Sequence, residues 1–375
     1  MIRVTTNSTL HMYQSNLMQS SNQLYSAMEK LMTGRNFDSY ASNPAGATRA
    51  FKLHSALNAV NAQAANNETV LNKFGTAYSI LDEVTNELTH DLAQAPALGG
   101  LDTSHLSSLN SYAQVIRSGA DAIVQVLNGK YENDFIFNGS ETGEAPFAIQ
   151  EDQSQNPPVD VLTFRGWRVD VPDNDDVYLD LNGKEVLENG VPLTNSDVHD
   201  KLTDMAGETL YVDVGLGFQL DRNGAVIPST AFDSGMDILG FGLDEDGDPK
   251  NIVSIMLRIS DVFGGYQHND AANTEGTWGP AGNYDDASRL VSKFEKAHNG
   301  LIQEHVELSS QADYLETNQT RLKSTFDSLN NELVAIEDID RVDAILQLSY
   351  AQTCYNAALQ VGANVIPQSL MDYLR

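Results

Sequence analysis

Apolar residues recur every seven positions at both ends of this chain, and that period dictates long, packed helices. Near the N-terminus the series is Leu10, Leu17, Leu24 and Leu31. Near the C-terminus it is Leu301, Leu308, Leu315, Leu322, Leu329 and Ile336. Repeats at this spacing lay one apolar stripe along one side of a helix, and the stripe must be buried against another helix. At the C-terminal end a second row four residues on holds Ala312, Phe326 and Leu333, with His305, Gln319 and Asp340 as polar exceptions. Neither end can bury its own stripe, so the two ends are expected to run side by side.

The same periodicity extends inward. Residues 8–33 read as one helix ended by Thr33-Gly34-Arg35, where glycine supplies a stop. Residues 36–44 are polar and loop-like. From Pro44 to about Ala95 the pattern predicts one helix of some 50 residues, roughly 75 Å at 1.5 Å per residue. Its first row is Leu53, Val60, Asn67, Phe74, Leu81 and Leu88; its second is Leu57, Ala64, Leu71, Tyr78, Thr85 and Leu92. Pro96 and Gly99-Gly100 are expected to break it. A third helix over 104–129 puts Leu106, Leu109, Ala113, Ile116, Ala120, Ile123 and Leu127 on one face. Helix is expected again over 284–336. After a skip in phase at 337–340, a last helix carries Val342, Ile345, Leu346, Ser349, Ala351 and Leu359 until Pro367.

At Asn133 the period changes. Asp134-Phe135-Ile136-Phe137-Asn138-Gly139 reads as a strand with a turn behind it, returning through Pro146-Phe147-Ala148-Ile149. Residues 151–280 are dense in Gly, Pro, Asn and Asp, with short alternating runs at 164–171, 177–181 and 210–220 and turn pairs Asn182-Gly183 and Asn223-Gly224. A short helix over 251–263 closes this mostly β insert. The expected fold class is therefore mainly α with a β-rich insert: an elongated antiparallel long-helix bundle formed by both termini, plus a mostly β outer domain. The expected domains are residues 1–40 with 337–375 as a terminal helical assembly domain, 41–150 with 284–336 as a long-helix domain bearing a β-hairpin, and 151–283 as an acidic, exposed insert.

Charge restricts the partners. The chain carries a formal net charge of −30, and residues 151–250 account for more than half of it. Such a surface repels nucleic acid and acidic lipid headgroups. Five basic residues near the N-terminus (Arg3, Lys30, Arg35, Arg49, Lys52) are too few and dispersed to bind nucleic acid. No run of about 18 apolar residues exists, so no membrane insertion is expected, and no cleaved secretory peptide is visible at the N-terminus. The single cysteine, Cys354, excludes an internal disulfide framework and sits as a small filler in a helical pattern.

Catalytic chemistry has no carrier. The histidines are scattered singly, and no His-Glu-x-x-His, Walker A or Gly-x-Ser-x-Gly sequence occurs. Asp244-Glu245-Asp246-Gly247-Asp248 resembles the start of a calcium loop. Its glycine comes two positions early, however, and Ile255 stands where a bidentate glutamate is required, so it reads as an acidic turn. Gly215-Leu216-Gly217 lacks the third glycine and the helix of a dinucleotide loop. No catalytic residue, metal or cofactor is expected.

Several of these segments resemble the flagellin superfamily and, more narrowly, the flagellar hook-associated protein 3 family. Glu29-Lys30-Leu31-Met32-Thr33-Gly34-Arg35 is similar to the superfamily's Lys-Leu-Ser-Ser-Gly-Lys/Arg, and Ala41-Ser42-Asn43-Pro44-Ala45-Gly46-Ala47 to the narrower family's Ser-Asp-Asp-Pro-x-Gly-Ala. Residues 134–142 with Ala145-Pro146-Phe147 resemble Tyr-Ile-Phe-Ala/Gly-Gly-x-x-Thr…Pro-Phe. The ending Leu370-Met371-Asp372-Tyr373-Leu374 is closer to that family's Leu-Met-Asp-Phe/Tyr-Leu than to the flagellin ending. Phe37-Asp38-Ser39-Tyr40 departs from the pattern.

The resemblance implies a non-enzymatic structural subunit exported unfolded through the flagellar type III apparatus. It would polymerise in the flagellar axial structure, next to the preceding hook-associated protein and flagellin and assisted by an export chaperone. It also implies a turn motif at Leu31, Thr33, Gly34, Arg35, Pro44 and Gly46. The residues expected to pack subunits together are Leu10, Leu17, Leu24, Leu31, Leu333, Ile336, Ile339, Leu346 and Leu359. The nearest rival is flagellin itself, the filament subunit.

Overall fold

The computed structural model describes residues 6–37, 39–102, 106–141, 143–154, 158–236, 240–264 and 284–365. Its helices are α1 (Thr6–Thr33), α2 (Pro44–Asp82), α3 (Ala95–Leu101), α4 (Leu106–Leu127), α5 (Asn195–Ala206), α6 (Ile252–Phe263), α7 (Tyr284–Glu337) and α8 (Arg341–Val365). A π-helix, Glu83–Gln94, joins α2 to α3. The chain is mainly α, its long terminal helices pack in pairs, α1 with α8 and α2 with α7, and the middle is β-rich. It divides into two compact units, one drawn from the chain ends (up to Ala62 and from Arg321 onward) and one from Gln63–Thr320.

In the unit built from the ends, α1 stops at Gly34, whose φ of +70° suits only glycine at low cost. The Gly34 N–H donates to the Lys30 carbonyl at 2.9 Å. The turn is then stitched to the break between α7 and α8. Arg35 pairs with Asp338, Asn36 N–H donates to the Glu337 carbonyl at 2.7 Å, and Ile339 N–H donates to the Gly34 carbonyl at 3.2 Å. The phase skip read from the sequence is this bridge. At the start of α2, the Asn43 side chain accepts from Gly46 N–H at 3.0 Å, and Pro44 takes the first helical position, where no donor is needed. A Cβ on Gly46 would lie 2.6 Å from the Asn43 amide nitrogen, so glycine there leaves room for the cap. Ala50, Leu53 and Leu57 of α2 form a small core with Leu333 of α7, flanked by Phe37, Phe326, Leu329 and Ile336.

In the middle unit, α2 and α7 share a core through Phe74, Ala77, Leu81, Leu301, Leu308 and Leu315. Of the C-terminal heptad row, Leu301, Leu308, Leu315 and Leu322 are buried, and Leu329 and Ile336 are half-buried. On α2 and the π-helix that continues it, however, the row beside Asn67, Phe74 and Leu81 is Val70, Ala77 and Val84, three residues on, while Tyr78 and Leu92 are exposed. Of the expected row four on, Leu57 and Thr85 are buried and Ala64 and Leu71 half-buried, so only Tyr78 and Leu92 lie at the rim. Asn67 is a buried polar rung with every role filled. Its amide donates to the Leu315 carbonyl (2.9 Å) and to Gln319 (2.8 Å), and its oxygen accepts from Asn318 (2.7 Å).

The helix expected to stop near Ala95 instead continues through Pro96 to Leu101. Leu81, Thr85, Thr89, Ala93 and Ala97 are buried at a four-residue repeat. In an α-helix such a row drifts about 40° per step; a wider π turn keeps it on the core. The wider turn also moves the carbonyl that the Pro96 ring would otherwise strike. The Thr85 and Thr89 hydroxyls bond back to the Leu81 and Thr85 carbonyls, each at 2.7 Å, so their burial leaves no donor unpaired.

The β region also departs from the sequence reading. Strand β1 (Lys130–Tyr131) pairs with β2 (Asp134–Phe135), but Ile136, Phe137 and Asn138 are buried in a turn rather than a strand. The return segment β3 (Phe147–Asp152) pairs with β4 (Val159–Phe164), which turns at Arg165-Gly166 into β5 (Trp167–Arg168). The turn is pinned because Arg165 reaches it. Its Nε donates to the Asn138 side chain at 2.7 Å, while its guanidinium grips Glu208 at 2.9 Å. Strands β6 (Leu187–Glu188), β7 (Val191–Pro192), β8 (Tyr211–Val212) and β9 (Phe232–Asp233) are two-residue pairs. The expected run at 210–220 is mostly loop. Helix α5 was not foreseen, and it is well specified locally: Thr194 and Asp197 form a reciprocal capping box. Its buried face is only Val198 and Leu202, too short a row to register as periodicity. Helix α6 begins as expected, with Asn251 as its cap, and packs on α4.

Candidate functional site

On its side of the seam with α1, α8 presents mostly small residues. The less exposed row of α8 is Ala344, Leu348, Ala351, Cys354, Tyr355, Ala358 and Gly362; that of α1 is Tyr13, Leu17, Ser20, Leu24, Ala27 and Leu31. A Cβ on Gly362 would lie 1.9 Å from the Tyr13 hydroxyl oxygen, so the Tyr13 ring lies directly over this glycine. Small side chains let two helices approach closely and spend little apolar bulk doing so.

The bulk therefore faces out. On α8, Val342, Ile345, Leu346, Tyr350, Leu359 and Val361 are exposed; on α1, Met12, Met18, Tyr25, Met28 and Met32 are. Leu346 keeps 63% of its surface and Met32 76%. These exposed faces are almost without charge. In 28 residues of α1 and 25 of α8 the formal charges are Glu29, Lys30, Arg341 and Asp343, which sum to zero. In a chain of net charge −30, this is where another copy can approach without like-charge repulsion.

The residues singled out for subunit packing fall into distinct places. Leu10 lies in α1, with its side chain outside the described residues. Leu17, Leu24 and Leu31 are half-buried on the α1–α8 seam. Leu333 and Ile336 belong to the small core with Ala50 and Leu53. Ile339 is half-buried in the bridge to Gly34, and Leu346 and Leu359 are exposed. The turn motif is one connected device. Thr33 hydroxyl donates to the Glu29 carbonyl and accepts from Arg35 N–H, and Gly34, Arg35, Pro44 and Gly46 act as described above. The exposed methionines and tyrosines went unread because heptad counting credits rows of leucine, whereas the buried row of α8 is largely alanine and glycine. The ending at 367–374 lies outside the described residues.

The acidic turn at 244–248 is filled from within. Lys293 Nζ sits 2.6 Å from Asp244, 2.9 Å from Asp246 and 2.7 Å from Asp248, and Asp248 also meets Arg289 at 2.7 Å. Burial pushes the Asp248 carboxyl up, but hydrogen bonds from Arg289 and Lys293 outweigh it and hold the group below its usual range. An ammonium thus occupies the point on which the carboxylates converge. Among the described residues no group of three or more His, Cys, Asp or Glu side chains is placed to hold a metal ion, and no helix is long and apolar enough to cross a membrane.

Comparison with known proteins matches residues 4–142 to the bacterial flagellin N-terminal helical region and residues 291–374 to the bacterial flagellin C-terminal helical region, together more than half of the chain. No curated relative matches in a sequence comparison. Among solved structures, the chain is similar to a protein of Vibrio parahaemolyticus named provisionally as flagellar hook-associated, with 14% identity, TM-score 0.49, and 79% of this chain and 99% of that one covered. It is similar to flagellar hook-associated protein 3 of Legionella pneumophila at 11% identity and TM-score 0.45, covering 76% and 98%. It is also similar to FlgL of Bacillus cereus at 13% identity and TM-score 0.42, covering 76% and 99%. With flagellin regions at both ends, the chain belongs to the bacterial flagellin family and is a structural protein of the bacterial flagellum.

Proposed function

We propose that this chain is the hook-associated junction subunit, which joins hook to filament by polymerising through α1 and α8. The observation that carries the reading is the pair of uncharged, apolar outer faces on these helices, in a chain otherwise strongly acidic. A stripe of this size on a lone protein is a liability; covered by further copies it becomes the driving force of assembly. The faces differ, methionine and tyrosine on α1 and aliphatic on α8. Contacts between unlike faces propagate head to tail into helical polymers instead of closing as dimers.

The junction reading over flagellin rests on the sequence. Asp134-Phe135-Ile136-Phe137-Asn138-Gly139 and the Leu-Met-Asp-Tyr-Leu ending both resemble the hook-associated family. On this reading residues 1–40 with 337–375 form the assembly domain, 41–150 with 284–336 the long-helix domain, and 151–283 an exposed insert without enzymatic activity. The neighbours are the preceding hook-associated protein and flagellin, and the chain leaves the cell through the type III apparatus with a chaperone's help. Immunogold labelling of isolated flagella tests this. Label confined to one band beside the hook is expected; label along the whole shaft would make the chain flagellin.

A further inference from the structure

Within the middle unit, residues 177–194 fold into a small antiparallel sheet with an unusual property: large apolar side chains stand on both faces. Val177 pairs with Thr194, Leu179 with Glu185, and Leu187 with Pro192. Cross-strand partners point to the same side, and so do residues two apart along a strand. The register therefore places Val177, Leu179, Glu185, Leu187, Pro192 and Thr194 on one face, and Tyr178, Val186 and Leu193 on the other, with the exposed pair Glu188 and Val191 beside the hairpin turn. The second face is the inner one: Tyr178 and Leu193 are buried, and Val186 packs against the core.

The first face should be polar by the usual rule for a half-covered sheet. Instead Val177, Leu179 and Leu187 keep 44%, 45% and 59% of their surface exposed, and Pro192 is exposed beside them. The turn that sets this register is fixed, with Asn189 (φ 51°) and Gly190 (φ 84°) in the left-handed conformation that two-residue hairpins require. The aliphatic face is thus a product of a defined register and not of a slack loop.

We infer that this face docks a partner protein presenting aliphatic side chains within a rim of lysine or arginine. Charge selects that occupant. Residues 173–194 contain Asp173, Asp175, Asp176, Asp180, Glu185 and Glu188 against the single cation Lys184. Lys201 neutralises only Glu188, at 2.7 Å. Two copies meeting through this face would bring their acidic rims together, and acidic lipid would be repelled in the same way. A basic rim around an apolar centre matches both features. The surface shares no residue with the terminal helices, so it stands or falls independently of the junction reading.

The test uses the full chain and two synthetic nine-residue peptides, one alternating valine with lysine and the other alternating valine with glutamate, titrated by fluorescence anisotropy. The lysine peptide should bind, and binding should weaken about tenfold or more in Leu179→Ser/Leu187→Ser and again in high salt. The glutamate peptide should not bind. Because both leucines are exposed, the double variant should keep the parent melting curve, which separates lost docking from lost folding. Equal binding of the lysine peptide by parent and variant would reduce the face to generic acidity and overturn the proposal. So would sedimentation showing a dimer of the parent chain that the double variant abolishes, since the occupant would then be a second copy.

Discussion

The pair α1–α8 and the core of the middle unit handle the same problem in opposite ways. The middle unit turns its large side chains inward: Phe74, Phe263, Phe294, Leu109 and Ile123 are fully buried. It also closes its buried polar groups on partners, as at Asn67 with Asn318 and at Asp248 with Lys293 and Arg289. In the terminal pair, α8 turns mostly small residues to the seam, the α1 leucines facing it are only half-buried, and Leu346, Leu359, Tyr25, Tyr350 and the α1 methionines Met12, Met18, Met28 and Met32 stay outside. One region is a finished globular core; the other, on the proposed function, is half of an interface. Burial stabilises roughly in proportion to the apolar area removed from water, so the first should resist substitution on its own account and the second only once assembled.

The comparison breaks most readily at the middle core. Leu315→Ala there empties a fully buried site in the α2–α7 seam and should cost about 3–5 kcal/mol, read by urea denaturation. Next comes Lys293→Met, which removes the ammonium shared by Asp244, Asp246 and Asp248; Asp248 keeps Arg289 and Asp246 is solvated, so the cost should be about 1–2 kcal/mol.

The same carboxylates set a pH dependence. Asp244 and Asp248 are held below their usual range, and Glu208 is brought down to about 2, chiefly by its hydrogen bond from Arg165. Groups depressed in the folded state add stability that is complete above about pH 4–5 and is lost as pH falls through the folded values. The melting temperature should therefore drop between pH 5 and pH 2, and the drop should be shallower in Glu208→Gln. An unchanged slope would remove Glu208 from the account.

Further effects sharpen the terminal half of the comparison. Gly362→Ala forces the Tyr13 ring aside and should cost about 1–3 kcal/mol, seen in the assembled polymer as weaker protection of α1 from hydrogen exchange. Leu346→Ser should change the stability of the free chain by no more than about 0.5 kcal/mol, because the side chain touches solvent there. It should nevertheless abolish incorporation into flagella; normal incorporation would move the assembly face elsewhere.

Much of this fold is legible in the residues because a heptad row has one physical meaning. Leu301, Leu308, Leu315 and Leu322 are all buried, and α6 and α7 lie close to their expected bounds. Other features were hidden for definable reasons. The π-helix is encoded by a four-residue repeat that an α-helical template reads as drift. Helix α5 carries its signal in the capping pair Thr194 and Asp197 rather than in periodicity. At 136–138 the buried turn is held by the Glu144 carbonyl six residues on and by Arg165, 27 residues away, which no local rule connects to it. In α8 the seam is written in small residues, so the conspicuous ones, Leu346 and Leu359, mark the outside.

Hydrogen exchange, compared between the dispersed full chain and the assembled polymer, tests the central claim most directly. The account predicts amides of α1 and α8 that exchange readily in the dispersed chain and slow at least tenfold on assembly, while those around Phe74 and Leu315 are protected equally in both. Terminal helices equally protected in both states would contradict it, because the outer faces would then need no second copy to cover them.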